Sequence, residues 1–107
     1  MPLAGGKLSP HFGHCEEFAL VNVDPATKKV LSMNVVASPE HQPGLLPVWL
    51  AEQGATIIVA GGMGGRAQQI FSEHGISVVV GAGPDRPEVL AKQYVAGTLV
   101  SGENVCD

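Results

Sequence analysis

"ATIIVAGGMGGRAQQIFSEHGISVVVGAG", residues 55–83, is the stretch whose reading decides the fold. Two runs rich in β-branched residues, Ala55 to Gly62 and Ile76 to Gly83, each end in glycines and show no polar alternation. That is the pattern of parallel strands covered on both faces. Between them Ala67, Ile70, Phe71 and His74 recur at helical spacing and Gly75 stands where a helix would stop. The three pieces predict one βαβ unit, whose parallel strands require helices on the sheet faces.

Working outward, "PEVLAKQYVAG" after this unit predicts a last helix, with Pro87 in its first turn and Gly97 beyond its end. Before it, "LLPVWLAEQG" places Leu46, Trp49, Leu50 and Gln53 at helical spacing and Gly54 at the stop. Further upstream "EFALVNV" (Glu17 to Val23) and "KKVLSMNVVA" (Lys28 to Ala37) read as strands, joined through Pro25 as a hairpin. "SPEHQPG" reads as a loop, and the tail from Thr98 to Asp107 as irregular. At the amino terminus "MPLAGGK" supplies at most three strand residues before its glycines. The order hairpin, helix, strand, helix, strand, helix predicts an α/β fold, a mixed sheet with helices packed on it, in one domain spanning 1–107.

Composition narrows the function. With six basic residues scattered along 107 and a net charge of −4, the chain has no electrostatic footprint for nucleic acid or for an anionic membrane surface. No apolar run approaches the roughly 20 residues of a membrane helix, and no secretion signal is visible, so the expected location is the cytoplasm. In that reducing setting the two cysteines, Cys15 and Cys106, are expected as thiols rather than a disulfide.

Two glycine loops follow the parallel strands, "GGMGGR" (Gly61 to Arg66) and "GAGPDR" (Gly81 to Arg86). Ligands of open α/β sheets gather beyond the carboxyl ends of the strands, where helix amino termini offer free N–H groups. Gly62, Gly64, Gly65 and Arg66 therefore read either as an anion cradle or simply as tight turn residues. Neither loop is a P-loop or a dinucleotide fingerprint. Met63 reads as apolar cover or as a soft contact to a sulfur-rich ligand. A second cluster, His11, His14 and Cys15 in "SPHFGHCEEF", combines imidazole and thiol, ligands suited to iron, copper, zinc and metal–sulfur species; His41 is a further candidate. The plain alternatives are a hydrogen-bonded turn residue for His11, an exposed polar residue for His14 and a small buried hydrophobe for Cys15. His74 reads as a complement to its helix dipole.

"SPHFGHCEEFALVNVD" (9–24), "HQPGLLPVWLAEQGATIIVAGGMGGRAQQIFSEHGISVVVGA" (41–82) and "LAKQYVAGTL" (90–99) together resemble the dinitrogenase iron-molybdenum cofactor biosynthesis family, the small domains akin to NifX, NifY and the carboxy-terminal part of NifB. The resemblance implies a ribonuclease H-like, three-layer fold with a mixed five-stranded sheet. It also implies binding, carrying or protecting an iron–molybdenum or related metal–sulfur cluster, rather than enzymatic turnover. The family's His-Phe-Gly turn falls on His11, Phe12 and Gly13, its following loop histidine on His41, and its glycine-loop arginine on Arg66. Implied partners are cofactor-assembly proteins or an ATPase, with the chain a monomer or weak homo-oligomer. The family's first strand is longer than "MPLA", so a short or truncated first strand is expected here. A mononuclear metal-binding or metal-sensing module built on His11, His14, Cys15 and His41 is the alternative reading.

Overall fold

Because its turn sequences punctuate it so clearly, the chain folds largely where its periodicity predicts. The structure is a computed structural model that describes residues 1–10, 15–24, 26–39 and 45–99. In chain order it contains β1 (Pro2–Ala4), β2 (Lys7–Leu8), β3 (Glu17–Asp24), β4 (Lys29–Ala37), α1 (Leu45–Glu52), β5 (Ile57–Val59), α2 (Gly65–Glu73), β6 (Ser77–Val79) and α3 (Pro87–Ala96).

The predicted hairpin is β3 with β4, paired antiparallel through Phe18↔Val36 and Leu20↔Asn34, with a bulge at Asn22/Val23. Its turn is held by the Asp24 side chain, whose Oδ1 accepts from the backbone N–H of Ala26 at 2.9 Å and of Thr27 at 3.4 Å. This is the local bond that makes aspartate a turn former. Alternation puts Phe18, Leu20 and Val36 on one face, and there Phe18 meets Trp49 of α1 with ring centroids 5.5 Å apart. Phe18, Leu46, Leu50, Ile58, Ala60, Met63, Phe71 and Ile76 form the main core. Leu8, Val59, Ala82 and Leu90 form a second cluster. Ile58 and Val59, neighbours on β5, thus serve different clusters, as a strand buried on both faces requires. α1 and α2 supply one cluster and α3 the other.

β5 and β6 pair in parallel, Ile57↔Ser77 through Val59↔Val79, around α2. The βαβ unit is therefore as predicted, though each strand is shorter than its apolar run. Single hydrogen bonds carry the pairing onward: Ala60 N–H donates to Val79 O at 2.9 Å and Gly81 N–H to Gly61 O at 2.9 Å.

The expectation of one mixed five-stranded sheet is corrected. Among the described residues there are two sheets, an antiparallel one in the order β2-β1-β3-β4 and the parallel pair β5-β6. The cause is local. Gly5 and Gly6 adopt φ of 61° and 80°, the two positive values that a two-residue hairpin turn of the I′ type demands. Lys7 and Leu8 are thereby folded back onto β1, Ala4↔Lys7 and Leu3↔Leu8. The edge of β1 that would face β5 is occupied by its own hairpin partner, and β1 itself has the three residues expected of it.

Candidate functional site

Where β5 ends, the chain must pass from a buried strand to an exposed helix start within a few residues. Gly61, Gly62 and Met63 are buried, whereas Gly64, Gly65 and Arg66 are exposed. Gly61 is the pivot. A β-carbon placed there would lie 2.9 Å from the Ser9 carbonyl oxygen, closer than real β-carbons come, and a tight 3.0 Å from Pro10 Cα. Only glycine lets the Ser9–Pro10 backbone rest on the end of β5. Ser9 is itself 1% exposed, and its N–H donates to Pro2 O at 2.9 Å, fixing that segment to β1.

α2 then opens without a side-chain cap: Gly64 is the N-cap residue, extended at φ −63° and ψ 151°. The first N–H groups of a helix have no partner inside it, so this end presents uncapped donors and the positive pole of the dipole. Gln68 steadies the loop from within the helix, its Nε2 donating to Met63 O at 2.9 Å. Arg66 projects from the first turn, and among the described residues no carboxylate pairs with it. The surface here is therefore open, amide-rich and cationic, which suits an anion.

The second glycine loop has the same place in the topology but different chemistry. Asp85 Oδ1 accepts from the N–H of Arg86, the residue capping α3, at 2.9 Å. Arg86 lies 3.5 Å from Glu88 in an exposed ion pair. Asp85 O also accepts from Leu8 N–H at 2.9 Å, which ties β2 down. One of its amides and its cation are thus already committed within the chain, and a carboxylate stands beside the helix start.

Of the residues singled out from sequence, Gly62, Met63, Gly64, Gly65, Arg66 and Cys15 are described, whereas His11, Phe12, Gly13, His14, His41 and Cys106 lie outside the described residues. Met63 is 0% exposed and belongs to the main core, so its side chain is apolar cover for the loop. Cys15 is half-buried and packs on the same core. Burial pushes its thiol above the ordinary range, and a hydrogen bond with Ser38 partly offsets this. His74 is exposed at the carboxyl end of α2, with Nδ1 2.9 Å from Ile70 O, in keeping with its reading as a dipole complement. Among the described residues no three His, Cys, Asp or Glu gather into a metal-holding group. Sequence reasoning missed Ser9, Pro10 and Gln68; the only hint was the doubled glycine directly after β5.

The sequence pattern of the dinitrogenase iron-molybdenum cofactor family matches residues 2–97, nearly the whole chain. The chain belongs to that family. An uncharacterized protein of Methanocaldococcus jannaschii, MJ0580, is 31% identical over 81 residues, covering 73% of this chain and 69% of its own. The crystal structure of PH0822 superposes with a TM-score of 0.85 at 31% identity, covering 94% of this chain and 89% of that one. A candidate dinitrogenase of M. jannaschii, MJ0327, shares the fold with a TM-score of 0.73 at 19% identity, covering 96% and 91%. Membership of this family points to a role in cofactor handling. As to membranes, no helix of the described residues is long and apolar enough to cross one.

Proposed function

We propose that the chain binds and carries an anionic iron–molybdenum or related metal–sulfur cluster as cargo, rather than converting a substrate. One observation carries the reading: Gly61 seats the Ser9–Pro10 backbone against the loop that leads to the uncapped start of α2. Pro10, which directly precedes His11 in the sequence, thus lies against the strand end from which that amide-rich, cationic loop departs. In this reading the amides of Gly64 and Gly65 and the guanidinium of Arg66 offset the cluster's charge, and the imidazole of His11 bonds a metal. His14, Cys15 and His41 are secondary ligand candidates. Cys15, held as a neutral thiol by burial, would have to lose its proton to a metal first.

A grip made of amides, one cation and one or two metal bonds is reversible, which suits a carrier that hands its cargo to cofactor-assembly proteins or an ATPase. We read the layout of hairpin, βαβ unit and helices on both faces as ribonuclease H-like, with the family's mixed sheet divided in two here. The test is anaerobic incubation with iron–molybdenum cofactor or a thiomolybdate, then desalting and metal analysis. Molybdenum and sulfide should be retained together, and His11→Ala should lose them while His74→Ala keeps them. Retention of zinc or copper alone would replace the carrier with a mononuclear metal module; equal behaviour of the two variants would remove His11 from the site.

A further inference from the structure

β4 forms one margin of the four-stranded sheet, and among the described residues no strand pairs with its outer side. It is also long, 9 residues from Lys29 to Ala37. Where its backbone groups point follows from its inner side. Ser38 N–H donates to Glu16 O at 3.0 Å, and Glu16 stands in line with Phe18, Leu20 and Asn22, which face Val36, Asn34 and Ser32. Ala19, between them, spends both of its groups on Met1 instead. Antiparallel ladders alternate with period two, so the even-numbered residues of β4 bond to β3, and Met33, Val35 and Ala37 turn their N–H and C=O groups outward.

The side chains of this stretch are apolar and uncovered: Leu31 is 64%, Met33 37% and Val35 46% exposed. Edge strands are ordinarily guarded against pairing by lysine, proline, a bulge or an inward charge. Here the guards stand at the two ends. The ladder skips Leu31, since Asn22 faces Ser32 and Val23 faces Val30, and Pro39 has no N–H to give. From Ser32 to Ser38 there is neither charge nor proline. A bare run of donors, acceptors and apolar side chains thus lies between two interruptions that are equally far from Val35.

That symmetry selects the occupant. We propose that β4 pairs with β4 of a second copy of this chain, antiparallel, about a two-fold axis through Val35. Val35 then faces its own image, and Met33 faces Ala37 in both directions, a long side chain beside a short one. Each of these opposed pairs exchanges two bonds, about six in all. The next pair outward sets the bulge at Leu31 against Pro39 of the second copy, so the two interruptions coincide and neither costs a ladder bond. Moving the axis toward Met33 would set the bulge against Ala37 or Val35, and moving it toward Ala37 would set Pro39 against Met33 or Val35. A foreign strand has no cause to match that spacing. A two-fold contact also brings side chains near their own images, which like charges would oppose; this run is uncharged in a chain of net charge −4. The contact is small beside the roughly 800 Å² per partner of a standard interface, so the dimer is a weak one. No residue of the glycine loop takes part, and the inference stands apart from the cargo reading.

Sedimentation equilibrium of the full chain from about 5 µM to about 1 mM should show a monomer passing reversibly into a dimer, with a midpoint on the order of 100 µM. Over the same range amide exchange at Met33, Val35 and Ala37 should slow by about 3-fold or more, while Asn34 and Val36 stay unchanged. Val35→Lys and Val35→Glu should each remain monomeric, because each sets like charges on the axis, and an equimolar mixture of the two should recover the dimer. Circular dichroism and melting of the separate variants check that they fold; if either does not, the exchange pattern of the parent decides alone. A monomer at every concentration would overturn the proposal and leave the edge to a foreign strand. So would a dimer with unchanged exchange at Val35, or folded variants whose mixture stays monomeric. Growth beyond the dimer would overturn it too, since a two-fold contact closes on itself.

Discussion

Gly61→Ala is the substitution on which the site's architecture stands or falls. Gly61 does not need a positive φ, so alanine costs nothing in backbone conformation there. The cost is contact. The new methyl would meet the Ser9 carbonyl oxygen at 2.9 Å, Pro10 Cα at 3.0 Å and Pro10 O at 3.4 Å, all three of them backbone atoms that cannot swing aside as a side-chain tip could. Ser9 is pinned to Pro2 by its own hydrogen bond, and Gly61 to Gly81, so neither side yields freely. Overpacking of this kind costs about 1–3 kcal/mol. For a chain of this size that corresponds to roughly 4–8 °C of melting temperature per kcal/mol. Gly65→Ala is the internal control: it stands in open space in the first turn of α2, where alanine's helix propensity should add up to about 1 kcal/mol. Urea titrations of both variants, with unchanged slope, measure the difference. Cargo retention should fall with Gly61→Ala, because the Ser9–Pro10 segment is displaced from the loop. A Gly61→Ala midpoint equal to that of the parent would show that this segment does not rest on β5, and the proposed site would lose its geometry.

Three further outcomes follow from burial and charge. Met63→Ala should cost about 2–5 kcal/mol by cavity formation, while Met63→Leu should cost under about 1.5 kcal/mol and leave cargo retention intact; loss of cargo with leucine would give the thioether a ligand role after all. Arg66→Gln should alter urea stability by less than about 0.5 kcal/mol, yet weaken retention of a thiomolybdate, and unaltered retention would exclude the guanidinium from the site. Cys15 should react with iodoacetamide at pH 8 more slowly than glutathione does, because burial raises its thiol and leaves less thiolate at a given pH; peptide mapping reads the rate at Cys15, and a rate at or above that of glutathione would refute the assignment of a neutral thiol.

The elements legible from sequence were those whose signals are local. Gly97, at φ 74°, ends α3 and Asp24 makes the hairpin turn, each through hydrogen bonds to near neighbours, while Pro87 opens α3 through its fixed φ and missing N–H. β5 and β6 were legible because a strand covered on both faces is apolar throughout. β2 was not: two residues, one exposed and one buried, have no period. The division of the sheet was illegible for a related reason, since it depends on whether the edge of β1 is taken by the two residues folded back at Gly5 and Gly6 or by the distant β5. Gly61 announced a tight turn but not what lay across from it, and Met63, flanked on both sides by glycines, gave no sign that its side chain points inward. Both facts are set by tertiary contact.

The two glycine loops together yield a prediction that separates stability from function. At the second loop the chain supplies its own anion, Asp85, to the N–H of Arg86. Gly64→Asp would set a carboxylate at the first, one position closer to its helix, because Gly64 is the N-cap residue of α2 whereas Asp85 precedes that of α3. Gly64 already has the extended backbone of an N-cap residue and nothing within 4 Å of a β-carbon, so a carboxylate fits there without strain. Capping against glycine is worth a few tenths of a kcal/mol, and a negative charge at the helix start about 0.3–1 kcal/mol more. The variant should therefore be more stable than the parent in urea, by about 0.5–1.5 kcal/mol at low salt. The same carboxylate would occupy the free amides and repel an anionic cluster, so retention of molybdenum and sulfide should collapse. A substitution that improves the fold while abolishing binding cannot be acting through damage to the fold. If Gly64→Asp instead retained cargo as well as the parent, the start of α2 would not be where the anion sits, whatever the behaviour of His11.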